Sequence, residues 1–292
     1  MTRSLLLLLT LVLLLILPLT IFTQPLATAT FEAVLSDRYK KTDASWTFER
    51  FCPVSTNIVA ARVLAEYGAI FAATESVKLP TRCVFYGETE VLRFQKQLKT
   101  KTVEPGRVRI TLQETAANAL QKAMNEAQNE GLAITPLDGS IAGSRTYGDT
   151  LMLWNGRFFS ALDYWTRMRR LTAADRDMIS RLDLQKRIEK IIEWESQGIF
   201  FSTSRTRSIF TSTAPPGTSQ HLSMVAFDIV EYGEPGVIAI LNRNGWYQTV
   251  IGDPPHFTFL GIPEPELPGR GLLQVAKGGY RYWVPNLPNI RR

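Results

Sequence analysis

The sequence predicts an α+β fold in which helices come first and a mostly antiparallel sheet follows. Up to Gly198, apolar residues recur at the three- and four-residue spacing of amphipathic helices. From Ile199 onward, the chain has short runs rich in β-branched and aromatic residues, separated by Gly, Pro and Asn. Helices and strands do not alternate regularly, which favours antiparallel pairing over parallel strands joined by helices.

Five segments have the helical pattern, and most of them have a recognisable start or stop signal. They are 55–68, 88–98, 112–131, 148–165 and 172–198. The last is predicted as one long helix that begins after a Thr172 cap and ends at Gly198. An aromatic stripe between residues 154 and 165 is predicted to face the core rather than a cofactor.

The predicted strands are short and lie in the second half of the chain. They are "IFFST" (199–203), "MVAFDIVEY" (224–232), "VIAIL" (237–241), "FTFLG" (257–261) and "GYRYWV" (279–284). We find neither an internal repeat nor a low-complexity linker in the sequence. Beyond the N-terminal leader, we therefore expect a helical region at 30–130 and a second region at 131–292.

The N-terminus has the layout of a secretory signal peptide, which we assign to residues 1–29. Arg3 precedes an apolar run from Leu5 to Phe22, and Ala27-Thr28-Ala29 forms a small-x-small cleavage site. An uncleaved anchor is the alternative, because the run approaches the roughly 20 residues that span a bilayer. Pro18 and the cleavage site favour removal, and in both cases the chain is expected to be exported.

Export favours a disulfide between Cys52 and Cys83, the two cysteines of the chain. Two buried free thiols are the alternative. Composition indicates a globular protein, since 45% of the residues are hydrophobic and 21% are charged. The formal charge of +6 comes without a basic tract, so we expect no nucleic-acid partner and membrane contact only through residues 5–22, if they are retained.

Both histidines of the chain, His221 and His256, lie in one short region. Two imidazoles and one carboxylate can hold a catalytic zinc ion with one position left for water. Asp228 is the candidate carboxylate, but an extended strand would place it roughly 23 Å from His221. The chain must therefore bend between these two residues if they share a zinc ion.

Asp253 lies three residues before His256, with two prolines between them. Prolines favour polyproline II, whose three-residue turn would point both side chains to the same side. Asp253 would then face the zinc site without binding the ion, where a general base belongs.

These residues resemble a motif of bacterial cell-wall zinc peptidases. The family comprises D-alanyl-D-alanine carboxypeptidases and dipeptidases and L-alanyl-D-glutamate endopeptidases, related in fold to the hedgehog signalling domain. The matching residues are Pro216–His221, Ala226, Asp228, Gly245-Trp246 and Asp253-x-x-His256-Phe257. The resemblance spans about residues 132 to 260.

The resemblance implies that His221, Asp228 and His256 bind Zn²⁺, that Asp253 is the catalytic acid/base and that Ser219 lies beside the site. It also implies a substrate-binding arginine. Arg145 fits the usual order of the family, and Arg207, in an "RS" context, is the alternative.

The resemblance implies a zinc metallopeptidase that hydrolyses peptidoglycan stem peptides in the periplasm or cell envelope of a bacterium. A non-enzymatic peptidoglycan-binding or scaffolding protein that retains zinc is the alternative, and an unrelated exported protein with incidental histidines is a third. Two residues depart from the family pattern. Met224 replaces a usual glycine where the chain turns, and Asp253 replaces the glutamate of the carboxypeptidase branch, as in the endopeptidase branch.

Overall fold

A computed structural model of the chain describes residues 29–290. The apolar run of the predicted signal peptide, residues 5–22, lies outside the described residues. Within residues 29–290, no helix combines the length and the apolar character needed to cross a membrane.

The described residues form an α+β fold with antiparallel sheets, which confirms the predicted fold class. The helices are α1 (Phe31–Lys40), α2 (Phe48–Phe51), α3 (Ile58–Tyr67), α4 (Glu88–Gln95), α5 (Glu114–Asn129), α6 (Tyr147–Arg167), α7 (Ala173–Arg181), α8 (Leu184–Ser196) and α9 (Pro235–Arg243). The strands are β1 (Thr100–Val103), β2 (Ile110–Gln113), β3 (Ala226–Asp228), β4 (Trp246–Gln248), β5 (His256–Phe259), β6 (Leu272–Lys277) and β7 (Tyr280–Pro285).

The strands pair in three separate groups. A three-stranded sheet has the order β3-β5-β4, and β1-β2 and β6-β7 form two-stranded sheets. The β1-β2 hairpin lies in the half that the sequence predicts as helical, so this part of the prediction is wrong. Val108, Ile110 and Leu112 alternate with polar residues, which is the period of a strand rather than a helix. Helix α5 therefore starts at Glu114, two residues after the predicted start.

The predicted strand at 237–241 is wrong, because this segment belongs to helix α9. Pro235 stands in its first turn, where a missing N–H leaves no hydrogen bond unmade. Val237, Ile240 and Leu241 are buried, and this spacing is helical even though the five apolar residues are consecutive.

The predicted strand at 199–203 is also wrong. The Phe201 N–H donates to the Glu195 carboxylate at 3.1 Å instead of to a neighbouring strand. The Phe201 ring stacks between Phe158 and Trp194, with both centroid distances at 5.9 Å. Aromatic packing against helices, rather than strand pairing, explains the apolar run.

The predicted single helix at 172–198 is two helices, α7 and α8. Leu182 has an extended backbone, and the Asp183 side chain accepts from the Lys186 N–H at 2.9 Å. Asp183 is thus a second N-cap inside the predicted helix, and it starts a new helix axis.

Two large hydrophobic cores and a third, small cluster of Ile251, Tyr282 and Val284 lie within the described residues. The first includes Phe31, Leu120 and Trp246, so the predicted regions 30–130 and 131–292 contribute to the same core. The second lies between α3, α6 and α8 and contains the aromatic stripe of α6, which confirms that this stripe is core.

The predicted disulfide between Cys52 and Cys83 is confirmed. It closes a loop with a sequence separation of 31 residues. Two residues further on, the Phe85 N–H donates to the Gly217 carbonyl at 2.9 Å. Gly217 has φ +84°, and a side chain there would collide with the Phe85 carbonyl. The chain just after the crosslinked loop therefore packs directly against the segment that leads to His221.

Candidate metal centre

Three local structures bring His221, Asp228 and His256 together. Asp228 ends β3 and His256 begins β5, and the antiparallel register pairs these two residues directly. Directly paired residues point to the same face of a sheet, so their side chains are neighbours. His221 lies in the 3₁₀ turn Gln220–Ser223 that precedes β3.

The bend that the sequence requires between His221 and Asp228 occurs at Met224. This residue has φ 54° and ψ 38°, and its N–H donates to the His221 carbonyl at 3.1 Å. The left-handed conformation favours glycine, the residue usual in the resembling family. The chain thus turns with methionine in a left-handed, strained conformation.

The three side chains converge on one point. His221 Nε2 lies 3.1 Å from His256 Nδ1 and 3.3 Å from Asp228 Oδ1. His256 Nδ1 lies 3.0 Å from the same carboxylate oxygen. Each residue thus offers one ligand atom to a shared centre, and the group can hold a metal ion.

Neighbouring groups determine which ring nitrogens carry hydrogen. His221 Nδ1 lies 2.7 Å from the Gly143 carbonyl oxygen, which can only accept. The Gln220 amide nitrogen donates to the Tyr67 carbonyl at 2.8 Å, so its oxygen faces His256 Nε2, also at 2.8 Å. Both of these outer nitrogens are therefore N–H donors, and in neutral imidazoles this leaves the inner nitrogens with bare lone pairs.

With both imidazoles neutral, the centre holds two unprotonated nitrogens and a carboxylate oxygen, with no hydrogen between these atoms. Three acceptors at about 3 Å repel one another unless a cation lies between them. Nitrogen and carboxylate ligands suit zinc. The donor set of the described residues thus fits the expected ion.

The pKa values of His221 and Asp228 both lie below their ordinary values. Burial, followed by the positive charge of Arg145, lowers the pKa of His221 to about 4. The pKa of Asp228 lies well below its ordinary value, although burial by itself would raise it. A neutral imidazole and an ionised carboxylate are the forms that bind a metal ion.

The structure places the two candidate substrate arginines differently. Arg145 Nη2 forms an ion pair with Asp228 Oδ2 at 2.6 Å, and its Nε donates to the Ile141 carbonyl. Arg207 is exposed, and its Nη1 donates to the Gly252 carbonyl at 3.2 Å. Ser219 is buried at the start of the turn that carries His221.

Asp253 lies in the loop before β5, and the polyproline II prediction for this loop is wrong. The His256 N–H donates to the Asp253 carbonyl at 3.2 Å, which closes a turn over the two prolines. Burial, and then the negative charge of Asp228, raise the pKa of Asp253 to about 6. The turn therefore still brings Asp253 within electrostatic reach of the metal ligands.

Sequence reasoning missed Gln220, although this residue orients His256. Its oxygen also accepts from the hydroxyl of Thr258, which lies two residues after His256 on the same strand face. Strand alternation in "HFT" points to Thr258, but no sequence pattern indicates that Gln220 reaches across to β5.

The fold and the site define an α+β protein with a buried centre of two histidines and one aspartate. Comparisons of the chain with protein-family models, curated proteins and solved structures found no match.

Proposed function

We propose that the protein is a zinc-dependent peptidase that hydrolyses an amide bond in peptidoglycan stem peptides. The observation that carries this proposal is the convergence of three bare acceptor atoms beside a fourth, non-ligating carboxyl of raised pKa. The choice of stem peptides rests on the motif resemblance and on the expected export, with which the disulfide is compatible.

His221 Nε2, Asp228 Oδ1 and His256 Nδ1 would hold the ion. When bound, zinc activates water as a nucleophile and polarises the scissile carbonyl. The Gly143 carbonyl and the Gln220 amide orient the imidazoles, so that the ligand nitrogens need no rearrangement when the ion binds.

Asp253 supplies the proton transfer. With a pKa of about 6 its carboxyl is mostly ionised at neutral pH, yet it is a stronger base than an ordinary aspartate. It takes a proton from the attacking water and returns that proton to the leaving amine. A carboxylate that serves only to bind metal would need neither the raised pKa nor this position.

Arg207 is the better placed of the two arginines to meet the substrate. Arg145 is engaged by Asp228, whereas Arg207 is exposed and lies beside Asp253 through its bond to Gly252. Its charge suits a substrate carboxylate or the developing oxyanion. This assignment reverses the preference that the order of the motifs suggests.

A non-enzymatic protein with a structural zinc ion is the second candidate. It is favoured by the burial of both histidines, which are 1% and 5% exposed, and by the ion pair that covers the second oxygen of Asp228. A closed site of this kind leaves little room for substrate. The two candidate functions differ in whether Asp253 takes part in catalysis.

The Asp253→Asn variant separates these candidates. We expect it to retain about one zinc ion per chain by elemental analysis and to lose hydrolysis of purified sacculi by about 10²-fold or more. The His256→Ala variant should lose the metal as well, which makes it the matched control. Full hydrolysis by Asp253→Asn contradicts the role of this residue, and a wild-type protein that takes up no zinc contradicts the centre.

A further inference from the structure

The C-terminal half of helix α6 and the loop after it carry an unusual concentration of arginine. Arg157, Arg167, Arg169 and Arg170 are exposed, and Arg205 joins them by donating to Ser160 Oγ on α6 at 2.7 Å. We call these five arginines the basic face. Among residues 29–290, no carboxylate pairs with any of them; Asp163, the acid inside this stretch, is paired with Arg176.

The arginines of the basic face lie close enough to affect one another. Burial comes first in lowering the pKa of the Arg205 guanidinium, and the positive charges of Arg157 and Arg167 lower it further. Like charges gathered without acidic partners destabilise a surface unless an anion neutralises them. The basic face is therefore suited to an anionic partner.

Exposed apolar side chains lie on the same helix and at its C-terminal end. Phe159 and Met168 are 42% and 57% exposed, and Met152 on the same helix is 60% exposed. Two of the arginines lie over aromatic rings, Arg170 over Trp165 and Arg205 over Tyr164. A soluble polyanion offers nothing to exposed phenylalanine and methionine, whereas a bilayer interface accepts both apolar and cationic side chains.

We propose that the basic face docks the protein on a bilayer that contains anionic phospholipids. The arginines would contact lipid phosphates, and Phe159 and Met168 would enter the boundary between headgroups and acyl chains. The contact is independent of the apolar run at 5–22 and of the metal centre. It would keep the protein at the membrane surface even after loss of the leader.

Vesicle co-sedimentation tests this proposal with a chain that begins at Ala29, so that the apolar run cannot insert. This chain retains all described helices and strands, both hydrophobic cores and the disulfide. We expect binding to vesicles of phosphatidylcholine mixed with phosphatidylglycerol, and little binding to phosphatidylcholine alone. Equal binding to both kinds of vesicle, or to neither, overturns the proposal.

Charge reversal locates the contact. The Arg167→Glu/Arg170→Glu variant should bind the anionic vesicles about 25-fold more weakly or worse, since each arginine near an anionic surface contributes about fivefold. The matched control is Lys277→Glu/Arg281→Glu, which changes the net charge equally on exposed residues of the β6-β7 hairpin. An equal loss in the control shows that net charge alone drives binding, which overturns the assignment to the basic face.

The apolar variant Phe159→Gln/Met168→Gln distinguishes a bilayer from a soluble polyanion. It should weaken vesicle binding and leave binding to inorganic polyphosphate unchanged. A variant that binds vesicles as well as the wild type indicates a purely electrostatic, polyanion-binding surface and overturns the bilayer proposal. Circular dichroism on each variant verifies that the helices are intact.

Discussion

At the residue scale, the candidate metal centre depends on groups that are not candidate ligands. His256 can present Nδ1 to an ion only while Nε2 keeps its hydrogen, and the acceptor for that hydrogen is Gln220 Oε1. The amide cannot turn over, because its nitrogen is bonded to the Tyr67 carbonyl. The side chain of Gln220 thus determines the protonation pattern of a residue 36 positions away.

Replacing Gln220 with leucine should lower zinc affinity by about 10–100-fold, because the N–H of His256 loses its acceptor. Isothermal titration with zinc, in competition with a chelator, measures this change. The Gln220→Glu variant is the matched control, since it also loses the bond to Tyr67 but keeps an acceptor oxygen. Leucine and glutamate variants of equal affinity contradict the orienting role of the oxygen.

The grouping of His221, Asp228 and His256 was predictable from the sequence because histidine is so rare in this chain. Both histidines and the aspartate could be selected by residue type and by motif resemblance. The orienting groups could not, since glutamine side chains and the Gly143 carbonyl have no distinctive sequence signature. The ion pair of Arg145 with Asp228 could not be predicted from the sequence either, because it joins residues 83 positions apart.

At the element scale, the turn between His221 and β3 is the strained connection of the site. Met224 adopts a left-handed conformation that costs non-glycine residues about 1–2 kcal/mol. The Met224 carbonyl accepts from the Gln113 N–H at 2.8 Å, so the turn is also joined to the end of β2. The conformation is therefore determined by contacts on both sides of the turn.

The Met224→Gly variant should be more stable than Met224→Ala by about 1 kcal/mol, because both lose the methionine side chain and only glycine relieves the strain. Urea unfolding followed by fluorescence measures the difference. If residue 224 had an ordinary helical or extended conformation, Met224→Ala would be the more stable variant. A more stable Met224→Ala would therefore contradict the left-handed conformation of Met224.

The element predictions depended on whether the pattern of a segment fits only one kind of structure. Helices α5 and α6 extend over several turns, and their periodicity is unambiguous. The apolar run at 237–241 is compatible with both a buried strand and a buried helix. Tertiary packing determines which of the two forms. The interruption of 172–198 was visible in principle, since Asp183 is a strong N-cap residue.

At the scale of the whole molecule, the two predicted regions are joined by a shared core and a crosslink. Helix α5 of the first region packs against α9 of the second. Phe85, two residues after the Cys52–Cys83 disulfide, bonds to Gly217, four residues before His221. Stability of the first region therefore bears on the geometry of the centre in the second.

Removing the disulfide with Cys52→Ala/Cys83→Ala should lower the free energy of unfolding by about 3–4 kcal/mol, from the entropy of the loop it closes. Denaturant unfolding of the variant gives this value. Wild-type protein unfolded in the presence of a reductant is the control and should match the variant. A loss below about 1 kcal/mol would mean that the reduced chain is already constrained.

The pairing of Asp228 with His256 across β3 and β5 has a practical consequence. A slip of β5 by one residue would turn His256 to the opposite face of the sheet from Asp228 and dismantle the ligand set. A short sheet of three- and four-residue strands has few other contacts that fix the strand register. Metal content after refolding therefore counts the molecules whose central sheet is in register, and it serves as a measure of folding yield that needs no substrate.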